Sequence, residues 1–134
     1  MSGWKVEIPM RPYPSPRPKA TARGGYASVY MPAEYKKHKE LVQTYFPKLQ
    51  LTGPLMVNME FYFKPPKSWS KKKLVESLNN WHTQKPDKDN LEKTIMDAMN
   101  GHVYKDDSQV CIGRTLKKWA TEDKIVVTII ELEV

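Results

Sequence analysis

The feature that most constrains the fold of this 134-residue chain is the segment 55–63, in which every second residue is apolar. The apolar positions are Leu55, Val57, Met59, Phe61 and Phe63. Because successive side chains of a strand point to opposite faces, this period of two predicts a strand with one buried face. Such a strand needs neighbouring strands and a layer packed against it.

The other segments predict an α/β (α+β) fold, a small mixed sheet with helices packed on it. The length suits one core and not two, so we expect a single domain over 1–134. Further strands are predicted at 4–8, 26–30, 109–119 and 124–133, the last two as a hairpin. Helices are predicted from Pro32 to about Leu49, from a cap at Ser68 or Ser70 to about Asn79, and over 90–100.

The net charge of +7 is unevenly distributed along the chain. Residues 1–50 carry nine Lys/Arg against three Asp/Glu, and residues 51–85 carry six against two. Residues 86–134 reverse the balance, with seven basic against ten acidic residues. A basic body around an acidic patch suits a metal-dependent enzyme acting on a polyphosphate such as nucleic acid. A merely solvated basic surface explains the composition equally well.

Prolines set apart an arm at about 9–23, with Pro9, Pro12, Pro14, Pro16 and Pro18. Proline lacks a backbone donor and has a fixed φ, which excludes helix and favours an extended chain. Arg11, Arg17 and Lys19 make the segment basic. It is either a flexible arm or an ordered basic rim along DNA.

Several classes of protein are disfavoured by composition. The single cysteine, Cys111, excludes an internal disulfide and a Cys-based zinc site. The longest apolar stretch, 125–132, is interrupted by Thr128 and Glu131, so we expect no membrane span. The first residues lack the pattern of a secretory signal, and the expected compartment is therefore the cytoplasm.

Aspartates are concentrated in one part of the chain. All six follow residue 86, and five lie within 21 residues: Asp87, Asp89, Asp97, Asp106 and Asp107. Carboxylates gathered in one place repel each other and raise each other's pKa unless a cation is bound. The usual cation is Mg²⁺, a hard ion that takes oxygen ligands and completes its shell with water and substrate phosphate.

Helical geometry predicts that some of these carboxylates converge. At about 100° per residue, Asp89, Lys93 and Asp97 share one helix face. The opposite face carries Leu91, Ile95, Ala98 and Met99. The turn at Asn100-Gly101 and the segment 102–105 can then return Asp106 and Asp107 beside the helix start.

Each residue also has a simpler explanation. Asp89 with Glu92 has the spacing of a capping box, so Asp89 could only cap the helix. Asp97 lies four residues after Lys93, which favours a surface ion pair over ligation. Asp106-Asp107 could form a turn. His82 and His102 have no partner at a metal-ligand spacing and are interpreted as structural or surface residues.

Three segments in this part of the chain are Lys85-Pro86-Asp87-Lys88-Asp89-Asn90-Leu91-Glu92-Lys93, Asp97-Ala98-Met99-Asn100-Gly101 and Asp106-Asp107-Ser108-Gln109-Val110. Together they resemble the signature of the RusA family of Holliday-junction resolvases. The resemblance implies a homodimeric α/β enzyme that uses Mg²⁺ to cut four-way DNA junctions with two symmetric nicks, in a bacterial or phage context. It places the essential carboxylates at Asp87, Asp89 and Asp107, with Asp106 adjacent, and the catalytic lysine at Lys93. The basic run before Asp87 is thinner than in the family.

We therefore expect Asp87, Asp89 and Asp107 to hold the metal, with Asp106 as an outer-shell or second-metal ligand and Lys93 at the phosphate or the attacking water. Charge alone suggests backbone contacts to DNA by Lys64, Lys67, Lys71, Lys72, Lys73, Lys85, Lys88 and Arg114. The alternatives are another structure-specific or nonspecific Mg²⁺ nuclease, a DNA-binding module without catalysis, and a domain stabilised by Ca²⁺ or Mg²⁺.

Overall fold

The computed structural model describes residues 2–16, 19–23 and 26–134, with side chains for 2–16 and 31–134. In these residues the strands are β1 Gly3–Ile8, β2 Lys19–Arg23, β3 Tyr26–Tyr30, β4 Leu55–Phe63, β5 Val110–Ile112, β6 Thr115–Trp119 and β7 Lys124–Glu131. The helices are α1 Ala33–Gln43, α2 Lys71–Ser77 and α3 Lys88–Met99. The predicted mixed sheet with packed helices is confirmed.

Strand β4 is the centre of a five-stranded sheet ordered β1-β7-β4, with β5 and β6 both pairing along the far side of β4. β7 runs antiparallel to β4, whereas β5 and β6 run parallel to it. The predicted alternation is confirmed, because residues along β4 are alternately buried and half-buried. The buried side chains face Leu91, Ile95, Ala98 and Met99 of α3 in a common core. Burying one such side chain contributes about 1.5–3 kcal/mol.

The predicted hairpin of the last two strands is wrong, because β6 and β7 lie on opposite sides of β4. The connection between them crosses the end of β4 and is fastened there. Ala120 donates its backbone N–H to the Phe63 carbonyl at 2.9 Å. Asp123 accepts from the Lys64 N–H at 2.8 Å and from Arg11 at 3.1 Å.

A close backbone approach divides the predicted strand 109–119 into β5 and β6. A Cβ on Gly113 would lie 2.3 Å from the carbonyl oxygen of Val57, so only glycine fits. The next residue, Arg114, donates its N–H to Asn58 Oδ1 at 3.0 Å. This break opens the edge of the sheet beside α3.

The remaining predictions differ mainly at element ends. α1 ends at Gln43 rather than near Leu49. Ser70 is the N-cap of α2, where its side chain accepts from the Lys73 N–H. No helix within the described residues is both long enough and apolar enough to cross a membrane.

Residues 9–16 of the predicted arm form neither helix nor strand, and the end of the arm pairs as β2 with β3. Ser15 donates its N–H to the Asn90 carbonyl at 3.0 Å, and Thr94 Oγ1 donates to the Tyr13 carbonyl at 2.8 Å. The start of the arm therefore lies against α3. Arg17 and Pro18 lie outside the described residues.

Candidate functional site

Helix α3 presents the first candidate residues. Asp87 is its N-cap, with extended backbone and no capping bond from its side chain. Asp89 lies in the first helical turn, one residue past Lys88, so its interpretation as the cap is wrong. Lys93 follows one turn later. All three candidates are exposed, while the opposite side of the helix is buried in the core as predicted.

Two lysines position the Asp87 end of the site. Lys85 Nζ donates to both carboxylate oxygens of Asp87, at 2.8 and 3.0 Å, and this contact lowers the pKa of Asp87. Lys117 of β6 donates to the carbonyls of Gln84 and Pro86, at 2.7 and 2.6 Å. The loop that leads into Asp87 is thereby attached to the sheet.

Buried Tyr104 positions Asp107. Its hydroxyl oxygen lies 2.7 Å from Asp107 Oδ1 and 3.1 Å from the Met96 carbonyl of α3. Since a hydroxyl has one proton, we assign it to the shorter, charge-assisted bond with Asp107. Burial, this bond and the negative charges nearby raise the pKa of Tyr104 well above its usual range. Asp107 thus lies beside the third turn of α3. The sequence had suggested a position beside the start of the helix.

Asp97 lies with Asp107 near Tyr104 and is apart from Asp87. It accepts a hydrogen bond from Tyr35 of α1 at 2.7 Å, and its charge also raises the pKa of Tyr104. The predicted ion pair of Asp97 with Lys93 is wrong. Where side chains are described, the ion pairs are Arg11–Asp123, Lys85–Asp87 and Lys88–Glu92.

Asp106 forms the predicted turn and caps a short 3₁₀ helix, Asp107–Gln109. Its side chain accepts from the Ser108 N–H at 3.0 Å, which lowers the pKa of Asp106. Gln109 accepts from the Asp106 N–H and donates to the carbonyls of Leu51 and Gly53 at 2.8 and 3.0 Å. The loop bearing both aspartates is therefore attached to the chain that leads into β4.

Two adjoining cavities lie beside α3. One of about 530 Å³ is lined by Lys88, Arg114 and Lys117, among others. The other, of about 220 Å³, is lined by Glu92 and Met96 of α3 and by the residues of β5. Both share Met59 and Thr115. Glu92, Lys117 and Tyr104 were missed as site residues, because their spacing in the sequence carries no ligand or catalytic pattern.

The donor chemistry suits Mg²⁺, since Asp87, Asp89, Asp106 and Asp107 supply only carboxylate oxygens. Their arrangement is less compact than predicted. Asp107 and Asp106 lie around Tyr104, while Asp87 is held by Lys85 at the start of α3. Within the described ranges, no group of three or more His, Cys, Asp or Glu side chains converges closely enough to hold an ion.

The candidate DNA-contacting cations are exposed, and several line the site. Lys88 and Arg114 border the larger cavity, and Lys85 contacts Asp87. Lys73 of α2 lies over the ring of Trp69, 4.1 Å from its centroid. The others with exposed side chains are Lys64, Lys67, Lys71 and Lys72.

The fold is a mixed sheet with an aspartate-bearing helix and a second aspartate pair before a short parallel strand. Residues 9–130 match the family described as endodeoxyribonuclease RusA, and the chain belongs to that family. It is also 34% identical over 136 residues to the uncharacterized protein YqaN of Bacillus subtilis (strain 168). That match covers 96% of each chain.

Proposed function

We propose that this protein is a Mg²⁺-dependent, structure-specific endodeoxyribonuclease that resolves four-way DNA junctions by paired symmetric nicks in recombination and repair. The observation that carries the proposal is the position of the Tyr104 hydroxyl. It contacts Asp107 at 2.7 Å and the α3 backbone at Met96 at 3.1 Å. Tyr104, which packs against α3 in the core, thereby positions Asp107 beside the helix that carries Asp89. Membership of a nuclease family supports hydrolysis of a phosphodiester as the reaction.

In this proposal Asp87, Asp89 and Asp107 would hold the ion, which requires them to come closer together than they lie in this structure, and Asp106 would act as an outer-shell or second-metal ligand. When bound, Mg²⁺ supplies Lewis-acid stabilisation of the charge that builds on the phosphate. Lys85 already holds the Asp87 carboxylate, so it would have to release Asp87 and could then contact DNA. Tyr104 fixes one oxygen of Asp107 and leaves the other for ligation.

Lys93 is proposed to act on the phosphate side of the site. It lies on the exposed face of α3, four residues from Asp89. Its ammonium group can donate to the scissile phosphate or to the attacking water, where it would offset developing negative charge. Lys88 and Arg114, which border the adjoining cavity, are suited to bind the neighbouring backbone phosphates.

A nicking assay with a mobile four-way junction and a linear duplex, each with and without Mg²⁺, tests the proposal. Asp107→Asn and Lys93→Ala should abolish nicking and leave junction binding intact. An amide at position 107 keeps the shape of the carboxylate but removes the charge that holds the ion. Alanine at position 93 removes the ammonium group that would offset charge on the phosphate, which is one positive charge among many for binding. Without metal, Asp107→Asn should bind slightly more tightly, because a charge that repels phosphate is gone. Exposed Glu122→Gln and Lys37→Ala are the matched controls.

An Asp107→Asn protein that nicks at the wild-type rate would sink the assignment. Equal cutting of junction and duplex would favour a nonspecific nuclease with the same residues. Binding without any Mg²⁺-dependent cutting would favour a DNA-binding module. We also propose a symmetric homodimer, because two coordinated nicks need two sites. A monomeric mass by light scattering, with junction DNA present, would contradict it.

A further inference from the structure

Trp81 is an exposed aromatic side chain in the segment between α2 and α3. It is 60% exposed, whereas Trp119 nearby is 6% exposed. Single exposed apolar residues are common and need no explanation by themselves. Trp81 differs because a cation lies over its ring: Lys118 Nζ is 4.5 Å from the ring centroid. An ammonium group covers only one face of an indole.

The backbone around Trp81 is fixed although its ring is exposed. Trp81 pairs with Lys118 of β6 in an isolated antiparallel bridge. The next residue, His82, is buried and lies between Phe63 and Trp119, with ring centroids 4.3 and 4.1 Å away. The ring is therefore presented on a rigid support, which limits the entropy lost when a partner binds.

Trp81 is also connected to the candidate site through β6. Lys118 pairs with Trp81, and the preceding residue, Lys117, holds the loop that leads into Asp87. Trp81 lines the larger cavity with Lys88 and Arg114. A third cavity of about 250 Å³ lies next to it, between Trp81 and Trp69. Trp81 thus lines both the cavity that Lys88 and Arg114 border and a second cavity lined by Trp69 and Trp119.

We propose that Trp81 is a stacking platform for an unpaired nucleobase of bound DNA, and the proposal rests on the function given above. Bases stack on aromatic side chains whatever their sequence, and each stack is worth about 5- to 150-fold in affinity. Lys118 over the ring and Lys88 in the same cavity suit the phosphates that flank such a base. A single strand offers unpaired bases, and the pairs that flank a branch point open more readily than those inside a continuous duplex.

The charge around Trp81 favours DNA over a second copy of this chain as the occupant. Lys73, Lys88, Arg114, Lys117 and Lys118 all lie in or beside the cavities that Trp81 borders. A second copy presenting the same surface would bring the same cations, and like charges placed together oppose association. For a polyanion these five cations outweigh Glu60 and Glu76, the acidic residues that line the same cavities.

Anisotropy titrations in EDTA test the proposal with three labelled probes: an immobile four-way junction, a linear duplex and a single strand. Trp81→Ala should lose about 5- to 150-fold in affinity for the junction and the single strand, with duplex affinity unchanged. Trp81→Phe should recover most of the loss, because it restores a ring. The control is Tyr45→Ala, which removes an exposed aromatic, 40% exposed, near the end of α1.

Three results would overturn the inference. Trp81→Ala could match Tyr45→Ala on every probe, it could lose duplex and junction affinity equally, or it could change the oligomeric mass by light scattering. The last would identify a contact between copies. A wild-type protein that binds the single strand through Trp81 but never nicks junctions would refute the proposed function and leave the stacking platform standing.

Discussion

Replacing Tyr104 by phenylalanine tests how Asp107 is held in place. The ring is fully buried, so phenylalanine keeps the packing and removes only the hydroxyl. A hydrogen bond to a charged group contributes about 1.5–3 kcal/mol. Asp107 is half-buried and can recover some hydration, which favours the lower end. We expect a loss of about 1.5 kcal/mol, or about 4–8 °C in melting temperature for a domain of this size.

The same variant should change the response to Mg²⁺. Without the Tyr104 hydroxyl the Asp107 carboxylate can rotate, so binding the ion must pay for ordering it. The Mg²⁺ concentration at half-maximal junction nicking should therefore rise, and saturating Mg²⁺ should restore most of the rate. Tyr35→Phe is the matched control, because it removes the equivalent 2.7 Å bond from a buried tyrosine to Asp97. It should lower stability similarly without moving the Mg²⁺ midpoint. Equal midpoints for the two variants would refute the reasoning.

Two further predictions concern stability. Gly113→Ala should lower the free energy of unfolding by roughly 1–3 kcal/mol or more, because the added Cβ would meet the Val57 carbonyl at 2.3 Å. Urea unfolding checks this, with Gly53→Ala as the control, since a Cβ there meets nothing within 4 Å. Equal unfolding midpoints for the two variants would contradict the prediction. Burial and the bond to Asp97 raise the pKa of Tyr35 from 10.0 to about 12. Folding therefore favours the neutral form of Tyr35. The stability that this adds to the protein is complete below pH 10 and is lost as the pH rises towards about 12. Melting temperatures across this range should fall less steeply for Tyr35→Phe, and parallel curves would contradict the prediction.

Local patterns in the sequence predicted local structure well. The bounds of β4 agree with its alternating segment, those of β3 agree with the strand predicted at 26–30, and the buried face of α3 agrees with its apolar spacing. Ser70 was recognisable as a cap because it precedes a helical run. α1 was predicted too long, since its end depends on a turn in which Phe46 donates to the Gln43 carbonyl ahead of Pro47.

Pairing between distant segments was not predictable in the same way. A short turn between two apolar runs usually indicates a hairpin. Here the turn is attached to the end of β4 through Ala120 and Asp123, so β6 and β7 separate. The candidate site has the same limitation. The sequence predicted that the aspartates converge, but only the fold shows that Tyr104 and Tyr35 hold Asp107 and Asp97, while Lys85 holds Asp87.

The position of β7 has a consequence for biosynthesis. It is the last of the named strands in the chain, yet it lies between β1 and β4. During translation β1 is made first and has to wait for its partner, since Gly3 pairs with Ile130. Until β7 emerges, both β1 and one side of β4 are unpaired edges, which are prone to association with other chains. The sheet therefore forms late in synthesis, and a chain stopped before residue 124 would expose the two edges that β7 normally covers.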